Sequence, residues 1–257
     1  MGCSMKSPIS RRTAFAVCLL AVIMAGTTGL YAASEENHVW DYGLELGPEQ
    51  WAGIKSEFAT CGTGREQSPV DISGEMDTAA TPISFEYTAG KASVVNNGHT
   101  VQVNVAPGSK LSFGDGEYDL LQFHFHTPSE TTFEGLHYPL EAHFVHRNAE
   151  GKLAVVAVMI RAGAAGSIDT LPVPELAGET TEIQGAIDPE DFLPPETGYI
   201  TFDGSLTTPP CSEGVRWIVL KSPVTTEPEV LSRFAAIIGR NNRPTHPLNG
   251  RMLQASE

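Results

Sequence analysis

Between Ile83 and Ile160 the sequence is a succession of short runs in which apolar and polar side chains alternate: ISFEY, ASVV, TVQVNV, KLSF, LLQFHFH, LEAHFVH and LAVVAVMI. They are rich in Val, Phe and Tyr, and strand side chains point to opposite faces in turn, so the pattern fits pleated strands with a face on a core. Turn formers separate the runs, as at Asn96-Asn97-Gly98, Pro107-Gly108 and Asn148-Ala149-Glu150-Gly151, which predicts a meandering, largely antiparallel sheet. Residues 162–198 are rich in Pro, Gly and acids and read as loop and short turns, because strand patterns resume at YITFDG and VRWIVLKSPV. Between Thr226 and Gly239 the period changes: Val230, Leu231, Phe234, Ile237 and Ile238 fall at helical intervals, Thr226 to Glu229 forms a capping-box pattern, and Gly239 ends the helix. The expected class is a sheet-dominated α+β fold, a single domain at 34–257 with a large, mostly antiparallel central sheet flanked by short helices.

Residues 1–33 differ in kind. Lys6, Arg11 and Arg12 precede the apolar run AFAVCLLAVIMAG, which ends in small residues near Ala32 and Ala33, with no acid before Glu35. This reads as a secretory signal peptide, removed on export to a periplasmic or secreted location; the run is short for a bilayer span. Its removal leaves 13 basic side chains against 31 acidic ones, a formal charge of −18. Such a surface repels nucleic acid and anionic lipid, so the expected partner is a small molecule, with no nucleic acid and no membrane after processing. Of the four cysteines, Cys3 and Cys18 leave with the signal, and Cys61 and Cys211 remain as an even pair in an oxidising compartment, which favours a disulfide.

The run LLQFHFHTPSE, residues 120–130, sets two histidines one residue apart among apolar neighbours. A buried imidazole without partners loses the hydration of two polar nitrogens, so something must hold these rings. In a strand Gln122, His124 and His126 project together while Leu121, Phe123 and Phe125 face the other way. The next run places Glu141, His143 and Val145 on one face, and three imidazoles from two neighbouring strands make an open tetrahedral zinc site with a fourth position for water. Neutral imidazoles leave the ion its full charge. Each ligand ring needs a partner for its second nitrogen, and Gln122 and Glu141 each lie two residues before a ligand, on the same face. His38, His137, His146 and His246 lack such a context.

At this point the residues resemble the α-class carbonic anhydrases, in their exported bacterial form. The resemblance runs through W-D-Y-G at Trp40 to Gly43, Q-S-P-V-D-I at Gln67 to Ile72, N-N-G-H at Asn96 to His99 and Q-F-H-F-H-T-P-S-E at Gln122 to Glu130. It continues through E-A-H-F-V-H at Glu141 to His146, G-S-L-T-T-P-P-C at Gly204 to Cys211, W-I-V-L at Trp217 to Leu220 and N-R-P at Asn242 to Pro244.

The resemblance implies reversible hydration of carbon dioxide to bicarbonate and a proton, with hydroxide on Zn2+ as the nucleophile. His124, His126 and His143 fall on the family's zinc ligands, with Gln122, Glu141 and the main-chain carbonyl of Asn241 as their partners. Thr207 matches the threonine that accepts from the nucleophile, and Glu130 the carboxylate that takes that threonine's proton. Val145, Val155, Leu206, Thr207, Thr208, Val215 and Trp217 match the substrate wall. His99 matches the proton shuttle, with Tyr42 and Asn97 where relay water is held, and a second copy of the chain is a candidate partner. One departure stands out: many members carry a histidine directly after the motif glutamate, whereas this chain has Thr131.

Two other readings remain at this level. His124-x-His126-x-x-x-Glu130 imitates a cupin metal motif, although Pro139-Leu140-Glu141 lacks the glycine such a motif needs downstream. A non-catalytic zinc-binding protein is the second.

Overall fold

The computed structural model describes residues 1–2, 39–79 and 81–256. Residues 3–33 of the expected signal peptide, with Cys3 and Cys18, lie outside the described residues, as does His38. The described body falls within the unit His38–Glu257.

Seven strands carry the architecture: β1 (Ala92–Asn96), β2 (Val101–Val105), β3 (Gly116–His126), β4 (Leu140–Arg147), β5 (Leu153–Ala162), β6 (Tyr199–Ser205) and β7 (Glu213–Leu220). They stand in the order β1-β2-β3-β4-β5-β7-β6 within a sheet that counts 13 strands among the described residues. Short strands at Thr180–Glu182 and Gln254–Ala255 extend its two sides. From β1 to β5 every neighbour is antiparallel, as the turn spacing predicts.

The sheet is nonetheless mixed. β7 enters between β5 and β6 and pairs with β5 in parallel, Val155 opposite Trp217, and Val224–Thr226 pairs with β5 in parallel as well. Parallel neighbours require a long crossover, and the segment 163–198 together with β6 supplies it. That segment contains two 3-10 turns, Ser167–Thr170 and Pro189–Phe192.

Strand alternation sorts the side chains onto two cores. Phe123, Phe125, Phe144, Val156, Val158 and Ile218 are fully buried on one side of the sheet, and Val155, Ala157, Trp217 and Val219 on the other. Phe123 stacks on Phe144 with centroids 4.7 Å apart, and Phe125 meets Phe234 of the helix Pro228–Ile238 at 4.8 Å. Each buried ring contributes roughly 1.5–3 kcal/mol by leaving water.

Two local expectations are corrected. Leu121 does not share the face of Phe123: it is exposed, and Leu120 enters the core instead. The cause is a bulge, since Gln122 lies opposite Val145 while Leu120 lies opposite His146, which leaves Leu121 as the extra residue. The capping box at Thr226 does not form either. Glu227 is the N-cap, and the Thr226 hydroxyl donates to Oδ2 of Asp169 at 2.7 Å, which also receives the Glu227 N–H on Oδ1 at 3.1 Å. The helix start is thus satisfied from across the fold.

A third cluster sits beside the sheet, where Trp51, Cys61 and Cys211 are buried with Trp40 and Tyr42 packed against them. Cys61 and Cys211 are joined as a disulfide.

Candidate metal centre

The pairing of β3 with β4 sets His143 directly opposite His124, and Glu141 opposite His126. Because Phe123, Phe125 and Phe144 are committed to the core, their neighbours in sequence must face the other side of the sheet. The three histidines therefore converge, each offering one ring nitrogen, and these nitrogens all lie within 4.8 Å of one another.

The partners of the remaining nitrogens decide which atoms face the centre. His124 Nδ1 donates to Gln122 Oε1 at 2.9 Å, and His126 Nδ1 donates to the Asn241 carbonyl at 2.8 Å. A ring that donates from Nδ1 while neutral carries its lone pair on Nε2, so these two rings present Nε2. In His143 the roles are reversed. Its Nε2 lies 3.0 Å from Glu141 Oε1, near enough to pair with it but off the ideal hydrogen-bond line, and its Nδ1 lies 3.9 Å from Glu130 Oε2. His126 Nε2 is buried and without a hydrogen-bond partner. Burial first, and then the neighbouring rings, hold the pKa values of His124 and His143 well below the ordinary imidazole value; burial also lowers His126. Neutral rings with inward lone pairs fit a divalent transition metal.

The supports are braced in turn. The Asn241 side chain accepts the Thr127 N–H at 2.8 Å and donates to the carbonyls of His99 and Phe125, each at 3.0 Å. Glu141 is wholly buried, and its Oε2 accepts the N–H of Glu130 at 2.6 Å and of Thr131 at 2.9 Å, while Oε1 accepts the Thr131 hydroxyl at 2.8 Å.

Glu130 lies below the rings, Oε1 at 3.6 Å from His126 Nδ1 and Oε2 at 3.9 Å from His143 Nδ1. Burial pushes its carboxyl up to about 8, against the Thr207 hydroxyl, the Arg243 N–H and the Arg243 charge, which all pull it down. Its Oε2 completes no hydrogen bond of good geometry.

Two hollows open onto the rings. One, of about 50 Å³, is walled by Val145, Val155, Leu206, Thr207, Thr208 and Trp217 beside His124 and His143. Trp217 is held there by a 2.9 Å bond from its indole N–H to the Ser205 carbonyl. The other, of about 180 Å³, is lined by Tyr42, Asn97, His99, Gln122, His124 and His126 among others. The His99 ring stacks on Trp40 with centroids 3.9 Å apart. Val215 is the exception among the expected wall residues. It is buried in the same core as Trp217 and lines instead an open surface groove of about 660 Å³ around Arg216.

Several residues here escape the sequence reading. Trp40, Thr100 and Gln102 line the larger hollow. Gln102 lies opposite His124, and the alternation of TVQVNV finds it once the β2 register is known. Arg243 is buried and links Glu130 to the Cys61 segment; only its membership of N-R-P marked it. His146 faces the opposite core, 2.7 Å from the Tyr87 hydroxyl, while His137 is exposed.

The sequence and the fold were compared with known proteins. The family model described as eukaryotic-type carbonic anhydrase matches residues 46–257. A carbonic anhydrase of Pectobacterium carotovorum is 38% identical over 253 residues, covering 97% of this chain and 99% of that protein. The structure of the α-carbonic anhydrase of Photobacterium profundum superposes with a TM-score of 0.79 at 43% identity, over 85% of this chain and 100% of that one. The enzyme of Thermovibrio ammonificans, solved with the inhibitor sulfanilamide, gives 0.81 at 41% identity, over 85% and 98%.

Proposed function

The chain belongs to the eukaryotic-type, or α, carbonic anhydrase family, whose general reaction is the hydration of carbon dioxide, and from that premise we propose that His124, His126 and His143 hold a zinc ion. The observation that carries the proposal is the buried, unpartnered Nε2 of His126, turned inward with two further imidazole nitrogens within 4.8 Å. When bound, zinc supplies a Lewis acid that makes water nucleophilic near neutral pH, the property for which carbonic anhydrases serve as the general example.

The chain's own residues do the rest. Carbon dioxide is small and apolar, and Val145, Val155, Leu206 and Trp217 give it a greasy wall beside the centre; Thr207 and Thr208 close the polar side, and Val215 lies in the same core as Trp217. The Thr207 hydroxyl, its hydrogen drawn toward Glu130, presents a lone pair to the nucleophile and so selects a protonated one. Gln122, Glu141 and the Asn241 carbonyl fix ring orientation and tautomer. His99 moves the surplus proton to solvent through water held near Tyr42 and Asn97, since all three line the hollow that reaches His124 and His126.

Residues 1–33 act as a signal peptide, and 34–257 form the enzyme, working in the periplasm or outside the cell. The Cys61–Cys211 disulfide supports that compartment. Among the described residues no helix is long and apolar enough to cross a membrane.

Metal analysis of the exported protein, paired with stopped-flow carbon dioxide hydration, tests the reading. The expected result is one zinc per chain and turnover that is lost on chelation, regained with zinc and blocked by an aromatic sulfonamide. Zinc-loaded, folded protein without turnover would make it a binding protein, and bound iron or manganese would favour the cupin-like chemistry.

A further inference from the structure

His143 sits between two buried carboxylates. Glu141 Oε1 lies 3.0 Å from its Nε2, and Glu130 Oε2 lies 3.9 Å from its Nδ1. A neutral imidazole carries one proton, on Nε2 or on Nδ1, and only the carboxylate facing Nε2, Glu141, lies within hydrogen-bond distance. Donation to Glu141 leaves Nδ1 as a bare lone pair facing the other two rings. The Nδ1–H form would put the proton where a metal must bind, and at 3.9 Å Glu130 Oε2 is too distant to accept it.

Thr131 distinguishes the two carboxylates. Its N–H and hydroxyl both donate to Glu141, one to each oxygen, and the Glu130 N–H adds a second donor on Oε2. These bonds hold Oε1 in reach of Nε2 and fix Glu141 as an acceptor. The two main-chain donors would be present with any side chain at 131, but the one on Oε1, the oxygen that meets His143, is the hydroxyl alone. Thr131 is buried, so water is a poor substitute. The residue that marks this chain as a departure from the family pattern is therefore placed to do the orienting work itself.

We propose that the Thr131 hydroxyl is a positioning residue that sets the tautomer of His143, directing its proton to Nε2 and its Nδ1 lone pair to the centre. This rests on the zinc reading above, but its first test needs neither metal nor turnover.

The side-chain nitrogens of His143 are observed by two-dimensional ¹⁵N NMR in metal-free protein, in wild type, Thr131→Val and Thr131→Ser. Wild type and Thr131→Ser are expected to hold the Nε2–H form, and Thr131→Val to populate Nδ1–H. Zinc affinity, measured by competition with a chelator, should fall roughly 10- to 100-fold in Thr131→Val and return to within about threefold of wild type in Thr131→Ser. An Nδ1–H form in the wild type overturns the proposal without any variant. So does a Thr131→Val protein with unchanged tautomer and affinity. If Thr131→Val does not fold, the wild-type spectrum and the same measurements on Thr131→Ala decide. Zinc-loaded wild type that holds the Nε2–H form yet shows no turnover would instead count against the hydration reading.

Discussion

The main-chain N–H of Arg243 donates to Oε1 of Glu130 across 2.8 Å, so the carboxylate beneath the histidine rings is held from a segment 113 residues further along the chain. The Arg243 side chain is equally committed. Its guanidinium donates to the carbonyls of Ser68 at 2.7 Å and Cys61 at 2.9 Å and to Gln67 Oε1 at 2.9 Å, and lies over the Trp51 ring. One buried residue thus joins the three-histidine cluster to the disulfide-linked cluster.

Arg243→Lys should therefore be costly although the charge is kept. A lysine cannot serve three acceptors spread over a planar fork, and buried carbonyls left unpaired cost about 1–3 kcal/mol each before relaxation. Urea denaturation should show a loss of about 2–4 kcal/mol, and a change below about 0.5 kcal/mol would mean that these bonds are replaceable.

His99→Ala should lower hydration turnover by about 10-fold or more at low buffer concentration, because proton removal then relies on solvent alone. Adding imidazole at millimolar concentration should restore most of it. Turnover that ignores both the substitution and the buffer would remove His99 from the proton route.

Breaking the Cys61–Cys211 bond opens a loop of 150 residues. In the chain-entropy model this costs up to about 5 kcal/mol. The Cys61→Ser/Cys211→Ser protein should melt well below the wild type. Its hydration rate should fall as well, since Cys211 ends the stretch that begins at Leu206 and carries Thr207 and Thr208 beside the rings. Identical melting of reduced and oxidised protein would refute the first part.

The acid side of the stability profile should carry the mark of His146. Burial lowers its pKa to about 3, with the Ala154 and Phe144 backbone opposing weakly, whereas an unfolded histidine titrates near 6.5. Above pH 6.5 neither state binds the proton and the full stability is present. As the pH falls from about 6.5 toward 3, only the unfolded chain binds it, and stability drops by up to about 1.4 kcal/mol per pH unit. Urea titrations of wild type and His146→Gln at pH 7, 6, 5 and 4 should diverge in slope; parallel profiles would show that His146 does not contribute.

Much of this was legible in the sequence because strand geometry has a period of two. Once Phe123 and Phe125 are assigned to a core, Gln122, His124 and His126 have no choice but the opposite face, and the same holds for Glu141 and His143 around Phe144. The local periodicity of residues 230–238 likewise located the helix. Local pattern was weakest where pairing is irregular. The bulge that expels Leu121 depends on how β3 meets β4, and the lost capping box depends on Asp169, a residue far from Thr226 in sequence.

The sequence alone therefore determined the strand faces away from the bulge at Leu121, the helix and the set of residues able to bind a metal, since each follows from side-chain type and spacing along one segment. Only the tertiary structure decided the parallel insertion of β7 beside β5, the buried fork of Arg243, and the three bonds that Thr131 and Glu130 direct onto Glu141. These contacts join segments whose mutual distance is set by the packing of the whole sheet, and no local period encodes a register between strands that meet only after the chain has closed.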